Sequence, residues 1–428
     1  MKRTVGRACR AEGLLCPNGS HINLFGHLEC VIDLDAKVSR GALDLGMSEQ
    51  KLDGPEIARP PIDQRRFCVN GHAPSMMLRS RLRSRYLALH FRSCDASSMS
   101  GKNWDRVPID AQSIDAPLSL AAVFLVVTVA REQAALAKVS SVLGGLDDLI
   151  KTVGFRDLSG RLSCIAGIGR DLWDRLGSGG RPKELKPFAP IRGSVHTAPS
   201  TPGDLLFHIR SERPDLCFEF ERILLDNLGD GVTVVDEVSG FRYFDARDLL
   251  GFVDGTANPT GLDLPASALV GDEDADFAGG SYVVVQKYLH DLNAWTRTPT
   301  HLQEEIIGRT KIDNIEIDDD DAPRKSHKSL ATIVDADGNE YDILRDNMPF
   351  GRPGKQEFGT YFIGYSRFLW VTEKMLQRMY IGDPPGAYDR LLDFSTPHTG
   401  TTFFAPTRST LQTLVQAAQE NAQRKQVS

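Results

Sequence analysis

An α+β fold made of two successive units over residues 113–428 is predicted by three observations. Short apolar runs rich in β-branched residues recur along this stretch, each of a length that suits a buried strand. Segments with helical composition and spacing fall between them, so that strand and helix alternate through one unit and then through another. No strand leads into a G-x-G-x-x-G or G-x-x-x-x-G-K turn, which argues against a doubly wound nucleotide-binding sheet. Strands alternating with helices packed on one face, twice over, describe a duplicated ferredoxin-like sandwich.

The first strand is Ser119 to Val129 (SLAAVFLVVTV), whose Val and Phe content suits a pleated surface. Arg131 to Val153 follows with the pattern of one amphipathic helix, and Ser163 to Ile168 reads as the second strand. Beyond a loop rich in Gly and Pro come a strand at Asp204 to Glu212, a helix at Asp215 to Leu228 and a strand at Val232 to Val238. The second unit repeats the pattern with strand Ser281 to Leu289 (SYVVVQKYL), helix His301 to Ile307, strand Tyr361 to Phe368 and helix Val371 to Tyr380. The boundaries that follow are 113–250 and 251–428.

Residues 1–112 do not share this character. Apolar residues there come in scraps, and Pro and Gly interrupt each segment before a period is established. Charge divides at the same place. Residues 1–112 carry 17 Lys and Arg against 12 Asp and Glu, whereas residues 113–428 carry 33 against 45, net −12 within a whole-chain −7. An acidic body of this kind does not suit nucleic-acid binding, which needs a basic surplus. The Arg79, Arg81, Arg83, Arg85, Arg92 cluster has no aromatic platform spaced through it and reads as a solvated arm. Cys16 with His21 and His27, or Cys68 with His72, lacks the CxxC or HxxxH partner of a zinc site. The expectation is a poorly ordered extension, dispensable for the chemistry, that precedes the natural start of translation.

Seven cysteines, five of them before residue 113, do not form a disulfide framework and suit a reducing compartment. The start of the chain lacks an apolar segment of signal-peptide length, because Arg10, Glu12 and Pro17 interrupt it. The longest apolar run, Leu118 to Ala130, spans 13 residues, fewer than a bilayer crossing needs. These features predict a cytoplasmic protein without a membrane partner.

The most conspicuous local string is GFVDGTANP, residues 251–259. Asp254-Gly255 and Asn258-Pro259 are both ordinary turn pairs. An Asp between glycines is also a carboxylate on a backbone that can approach a bound group closely, and composition does not choose between the two.

The string resembles the GxxDG signature of the dye-decolourising peroxidases. The resemblance extends through SLAAVFLVVTV, SVHTAPSTPGDLLFHIRSE, SYVVVQKYLHDLNAW, EEIIGRTK, SHKSL, ILRDNMPFG and FFAPT, about residues 113–410, and is nearest to the B-type subgroup. It implies one non-covalent haem b per chain, held in the second unit, and a reaction in which hydrogen peroxide is reduced through a ferryl haem. Dyes, other aromatic donors and, in some relatives, manganese are then oxidised one electron at a time. No CxxCH is present to attach haem covalently. A haem-binding, iron-releasing protein of the deferrochelatase kind is the alternative on the same fold.

Carried over residue by residue, the resemblance makes His327 the axial iron ligand, although its setting in SHKSL after Asp318 to Asp321 reads as an exposed loop. Asp254 matches the distal carboxylate and Gly255 its glycine; Arg345 matches the distal arginine, and Asn347 a third distal polar residue. Asp389 aligns with the acid that accepts the other imidazole N–H, though it also reads as a solvated helix-face acid. Arg309 aligns with a residue facing a haem propionate, against the plain reading of a helix-end surface arginine. Trp295, Trp370, Tyr288 and Tyr365 are candidates to relay electrons, and the acidic run could attract divalent cations or simply be solvated. Relatives are commonly homo-oligomers, and some are cargo of protein nanocompartments, but the closing LVQAAQENAQRKQVS lacks the Gly, Leu and Ser-rich cargo peptide.

Overall fold

The strand–helix alternation folds into one ten-stranded sheet, and its strand pairings are antiparallel. The structure, a computed structural model, describes residues 111–427 apart from 178, 179 and 321. The expectations for the arginine cluster, the zinc candidates and the order of the extension lie outside the described residues. Gln112 is described and is already packed: its side chain donates to the carbonyls of Ala166 (2.9 Å) and Pro406 (2.8 Å) and accepts from the Ala166 N–H. The folded part therefore starts upstream of residue 113, where an unbroken strand pattern has not yet begun.

The first unit contains β1 (Ala121–Val129), α1 (Gln133–Gly144), α2 (Leu146–Gly154), β2 (Ser163–Ile168), β3 (Leu205–Ser211), α3 (Pro214–Leu228) and β4 (Val232–Phe241). The second contains β5 (Ser281–His290), α4 (Thr300–Ile307), α5 (His327–Ala331), β6 (Leu344–Arg345), β7 (Met348–Arg352), β8 (Glu357–Ser366), α6 (Leu369–Ile381), β9 (Ser395–Pro397), β10 (Thr401–Ala405) and α7 (Arg408–Val427). Across the sheet the order is β6-β8-β5-β10-β2-β3-β1-β4, with β7 also on β8 and β9 on β5. Counting β6 with β7, and β9 with β10, as one strand each, both units have the order second-third-first-fourth, so the duplication is visible in topology. The seam between the units is one residue pair, Phe404 opposite Ile168.

β1 shows why its sequence runs apolar without alternating. Ala121, Val123, Leu125 and Val127 face the helices, while Ala122, Phe124 and Val126 face an interior shared with Met348, Tyr361, Ile363 and Phe403 of the second unit. Both faces are covered, so each position favours an apolar side chain.

The helix expected over Arg131 to Val153 is two helices. Gly145 leaves helical geometry (φ −97°, ψ 6°), its N–H closing on the Ser141 and Val142 carbonyls, and Leu146 starts α2. The Gly144-Gly145 pair lowers the cost of the break. α7 is a helix the sequence reading did not assign; Leu411, Leu414, Val415 and Ala418 are its buried stripe, at helical spacing. No helix among the described residues is long and apolar enough to cross a membrane.

One buried group in the first unit works against stability. Glu221 on α3 is 7% exposed, its Oε1 lacks a hydrogen-bond partner, and burial together with the Glu237 charge pushes its carboxyl up to about 7. A carboxyl raised on folding binds its proton more tightly in the native state, so its contribution is present below about pH 4.5 and is lost as pH rises toward 7. Glu221→Gln is therefore expected to stabilise the protein by ~1–2 kcal/mol at pH 8 and to change nothing at pH 4, as read by denaturant unfolding. Equal effects at both pH values would contradict this.

Candidate active site

A cavity of about 510 Å³ is lined by residues drawn from 248–395. One wall is the loop containing Asp254. Arg247 and Val253 face each other across a β-bridge, and Gly251 makes the turn between them at φ 92°, a conformation that favours glycine. Arg247 ties this loop to its neighbour by donating to the carbonyls of Gly251 (2.9 Å) and Ile312 (3.1 Å). The Asp254 N–H donates to the Ala246 carbonyl, and its Oδ1 accepts the Gly255 N–H at 2.7 Å. That leaves Oδ2 as the oxygen able to exchange a proton. Gly255 lines the cavity at φ 80°.

The Asn258-Pro259 turn does more than reverse the chain. The Asn258 amide closes on the Arg345 peptide from both sides, its Nδ2 donating to the Arg345 carbonyl (2.7 Å) and its Oδ1 accepting the Arg345 N–H (3.1 Å). The Asp254 loop and the Arg345 strand are thus held in one register. Arg345 and Asn347 both line the cavity. Asp346 between them is 2% exposed and pairs with Arg210 (2.9 Å) on β3. Asn347 Oδ1 accepts the Ile363 N–H (3.1 Å). Arg345 Nε is buried without a hydrogen-bond partner in the protein, a donor left for something else in the cavity.

His327 lines the same cavity from α5. It is not an exposed loop residue: it opens a short helix capped by Ser326, whose Oγ accepts the Ser329 N–H. Asp319 fixes that cap, with its carboxylate accepting the Ser326 N–H and the Ser329 hydroxyl, both at 2.6 Å. Part of the acidic run is therefore committed to holding the histidine loop, and among the described residues no group of three His, Cys, Asp or Glu is placed to hold a metal ion.

Asp389 is 0% exposed, which overturns its reading as a solvated acid. Its Oδ2 lies 2.7 Å from His327 Nδ1, and its Oδ1 accepts the Leu391 N–H (2.9 Å). This pairing puts the proton on Nδ1 and leaves the Nε2 lone pair free to bind a metal. The cavity's other histidine, His290, has both ring nitrogens engaged, with Ser395 (2.8 Å) and Thr360 (2.9 Å). Two histidines face one cavity, and hydrogen bonding leaves one as a ligand.

Arg309 also lines the cavity, 3.1 Å from Glu316 and bonded to the Asn314 carbonyl, with Lys328 paired to the same Glu316. It is a partly buried member of a charged rim, not a free surface arginine. Asp248, unremarked in the sequence, lines the cavity as well. Burial and the adjacent Asp254 charge push it up to about 7, against the pull of the N–H groups of Phe252, Gly251 and Leu250. Of the four relay candidates, Tyr288 lines the cavity, Trp295 is buried with its indole N–H on the Leu250 carbonyl, Trp370 is exposed, and Tyr365 is buried on the far side of β8.

Residues 111–242 match the N-terminal domain of Dyp-type peroxidases and residues 245–410 the C-terminal domain. The chain is 57% identical over 300 residues to a dye-decolorizing peroxidase of Mycolicibacterium paratuberculosis, covering 70% of this chain and 84% of that one. Among solved structures, DyPB from Rhodococcus jostii RHA1 is 58% identical with a TM-score of 0.68 over 69% of this chain and 95% of that one. Variants of that protein have been solved in complex with heme and with manganese. An encapsulated DyP-type peroxidase from Mycobacterium smegmatis is 55% identical with a TM-score of 0.69, covering 71% and 98%. A deferrochelatase of Escherichia coli matches at 29% identity over 35% of this chain and 40% of that one.

Proposed function

The chain belongs to the Dyp-type peroxidase family, and from that premise we propose that it is a haem b peroxidase that reduces hydrogen peroxide and oxidises dyes and other aromatic donors one electron at a time. The observation that carries this is His327, its Nδ1 held by buried Asp389, in one cavity with Asp254, Arg345 and Asn347.

The residues present fit haem. The lining combines apolar side chains, among them Phe252, Met375, Leu376 and Met379, with a few polar groups, and its volume is in the range of small-molecule sites. His327 Nε2 would hold the iron. Arg309 suits a propionate. Cys164 and Cys217 are buried and do not line the cavity, so among the described residues nothing offers a thioether link. When bound, haem supplies a redox-active iron that accepts peroxide and stores its oxidising power.

The chain's own groups handle the protons and charge. Asp389 accepts the His327 Nδ1 proton, which orients the ring and raises the basicity of Nε2. Asp254 Oδ2 takes a proton from one peroxide oxygen and returns it to the other, with Gly255 N–H steadying Oδ1 throughout. Arg345 stabilises the negative charge that develops as the O–O bond breaks, and Asn258 fixes its backbone for that task. Asn347 presents its remaining amide group beside them. Asp248, half-protonated near neutral pH, keeps a second full negative charge from accumulating beside Asp254.

An absorption spectrum taken before and after one equivalent of peroxide tests the reading. A Soret band that shifts with peroxide and returns on addition of an aromatic donor is expected. A haem complex inert to peroxide would leave only the haem-handling, iron-releasing role. A nanocompartment shell is a further proposed partner, on the strength of the encapsulated relative, and a homo-oligomer on the strength of the family resemblance; co-purification with shell protein and light scattering test them.

A further inference from the structure

Tyr365 and His208 are buried at 0% exposure in the interior shared by the two units, and neither has a part in the peroxide chemistry above. The Tyr365 hydroxyl is 2.8 Å from His208 Nδ1. His208 continues into an aromatic stack, 4.7 Å from the Phe124 ring, which lies 4.3 Å from Tyr361. This stack is one strand away from the cavity: on β8, Thr360 and Phe362 face the cavity while Tyr361, Ile363 and Tyr365 face the interior. Leu344 pairs with Tyr365 and Arg345 with Gly364, so the tyrosine sits beside the arginine strand.

Buried tyrosines are not equal as electron donors. Oxidising a phenol in a dry interior requires its proton to leave with the electron, because the phenol radical cation is a far stronger acid than the phenol. Tyr288 bonds to Gln286 and Tyr380, Tyr282 accepts the Glu184 N–H, and the Tyr361 hydroxyl has no hydrogen-bond partner. None of these offers a base. Tyr365 faces an imidazole, which burial holds neutral by pushing it down to about 3. The resulting imidazolium would have Asp346 Oδ2 3.9 Å from its Nε2, an atom with no hydrogen-bond partner in the resting protein.

We propose that Tyr365 and His208 form a redox-active pair that holds one oxidising equivalent in the protein interior during peroxide turnover. One electron passes from Tyr365 to the peroxide-oxidised cofactor. The phenolic proton moves along the hydrogen bond to His208 Nδ1, leaving a neutral tyrosyl radical and an imidazolium. An electron from the aromatic donor and return of the same proton restore the pair. The inference rests on the haem-peroxidase reading.

Freeze-quench electron paramagnetic resonance of the full-length haem-loaded protein after one equivalent of hydrogen peroxide tests it, with ring-deuterated tyrosine to identify the radical. The intact protein is expected to give a tyrosyl signal that Tyr365→Phe removes, with the Soret band and the initial peroxide reaction unchanged. His208→Gln, which keeps the phenol and removes the base, is expected to lower the signal roughly tenfold or more. A protein that reacts with peroxide and yields no tyrosyl signal, or a signal that survives Tyr365→Phe, overturns the pair and leaves the peroxidase reading standing. Absence of any reaction with peroxide overturns the peroxidase reading and this inference with it.

Discussion

His327→Ala is expected to weaken haem binding by roughly 100-fold or more, a loss beyond that of an outer-shell partner, with the fold intact. The argument is one of supply. Of the two histidines lining the cavity, His290 has both nitrogens hydrogen-bonded, so removal of His327 leaves no unengaged imidazole among the described residues that line it. The substitution spares the helix, because its cap comes from Ser326 and Asp319 and its buried contact from Leu330. Haem titration followed at the Soret band reads the affinity, and added imidazole should restore much of the spectrum. An affinity within a few-fold of the intact protein would remove His327 from the proposed role.

The second large effect is kinetic. Arg345→Leu is expected to lower kcat/KM for peroxide by roughly 10²–10³-fold, the usual cost of deleting a preorganised donor at developing negative charge. Haem affinity should not change. Leucine keeps bulk in the cavity wall, and the Asn258 clip binds only the main chain at 345, so the strand stays in register. Stopped-flow measurement of the peroxide reaction separates this from a binding defect. A rate constant within tenfold of the intact protein would mean that the charge is stabilised elsewhere.

Where local pattern is strong the elements could be read: β-branched runs place β1, β2 and β5 within a residue or two and the apolar spacing of 215–228 places α3, whereas the longest helix, α7, with its polar composition, could not be. The break at Gly145 is hidden by the apolar spacing that continues on both sides of it, although the Gly144-Gly145 pair is itself a turn signal. The active site is different in kind. His327 lies 73 residues after Asp254 and 18 before Arg345, and no periodicity brings such positions together. Only the family resemblance singled them out. Residues that act through others were invisible even so. Asn258 looks like a turn former and Asp319 like one acid of a solvated run, whereas Asp389 was reached through the resemblance alone, since burial and hydrogen-bond geometry leave no mark on the identity of a residue.

The two units share one topology and unequal work. The cavity lining comes from residues 248–395, while the first unit contributes the opposite side of a common interior, with ladder pairing across the seam confined to Phe404 and Ile168 and buried side-chain bonds such as Arg210–Asp346 and His208–Tyr365 crossing it. Cohesion between the repeats thus comes from apolar contact and a few buried side-chain bonds more than from strand pairing. Neither half could be excised as a minimal enzyme without baring Phe124 and Leu206, or Tyr361 and Phe403, to water.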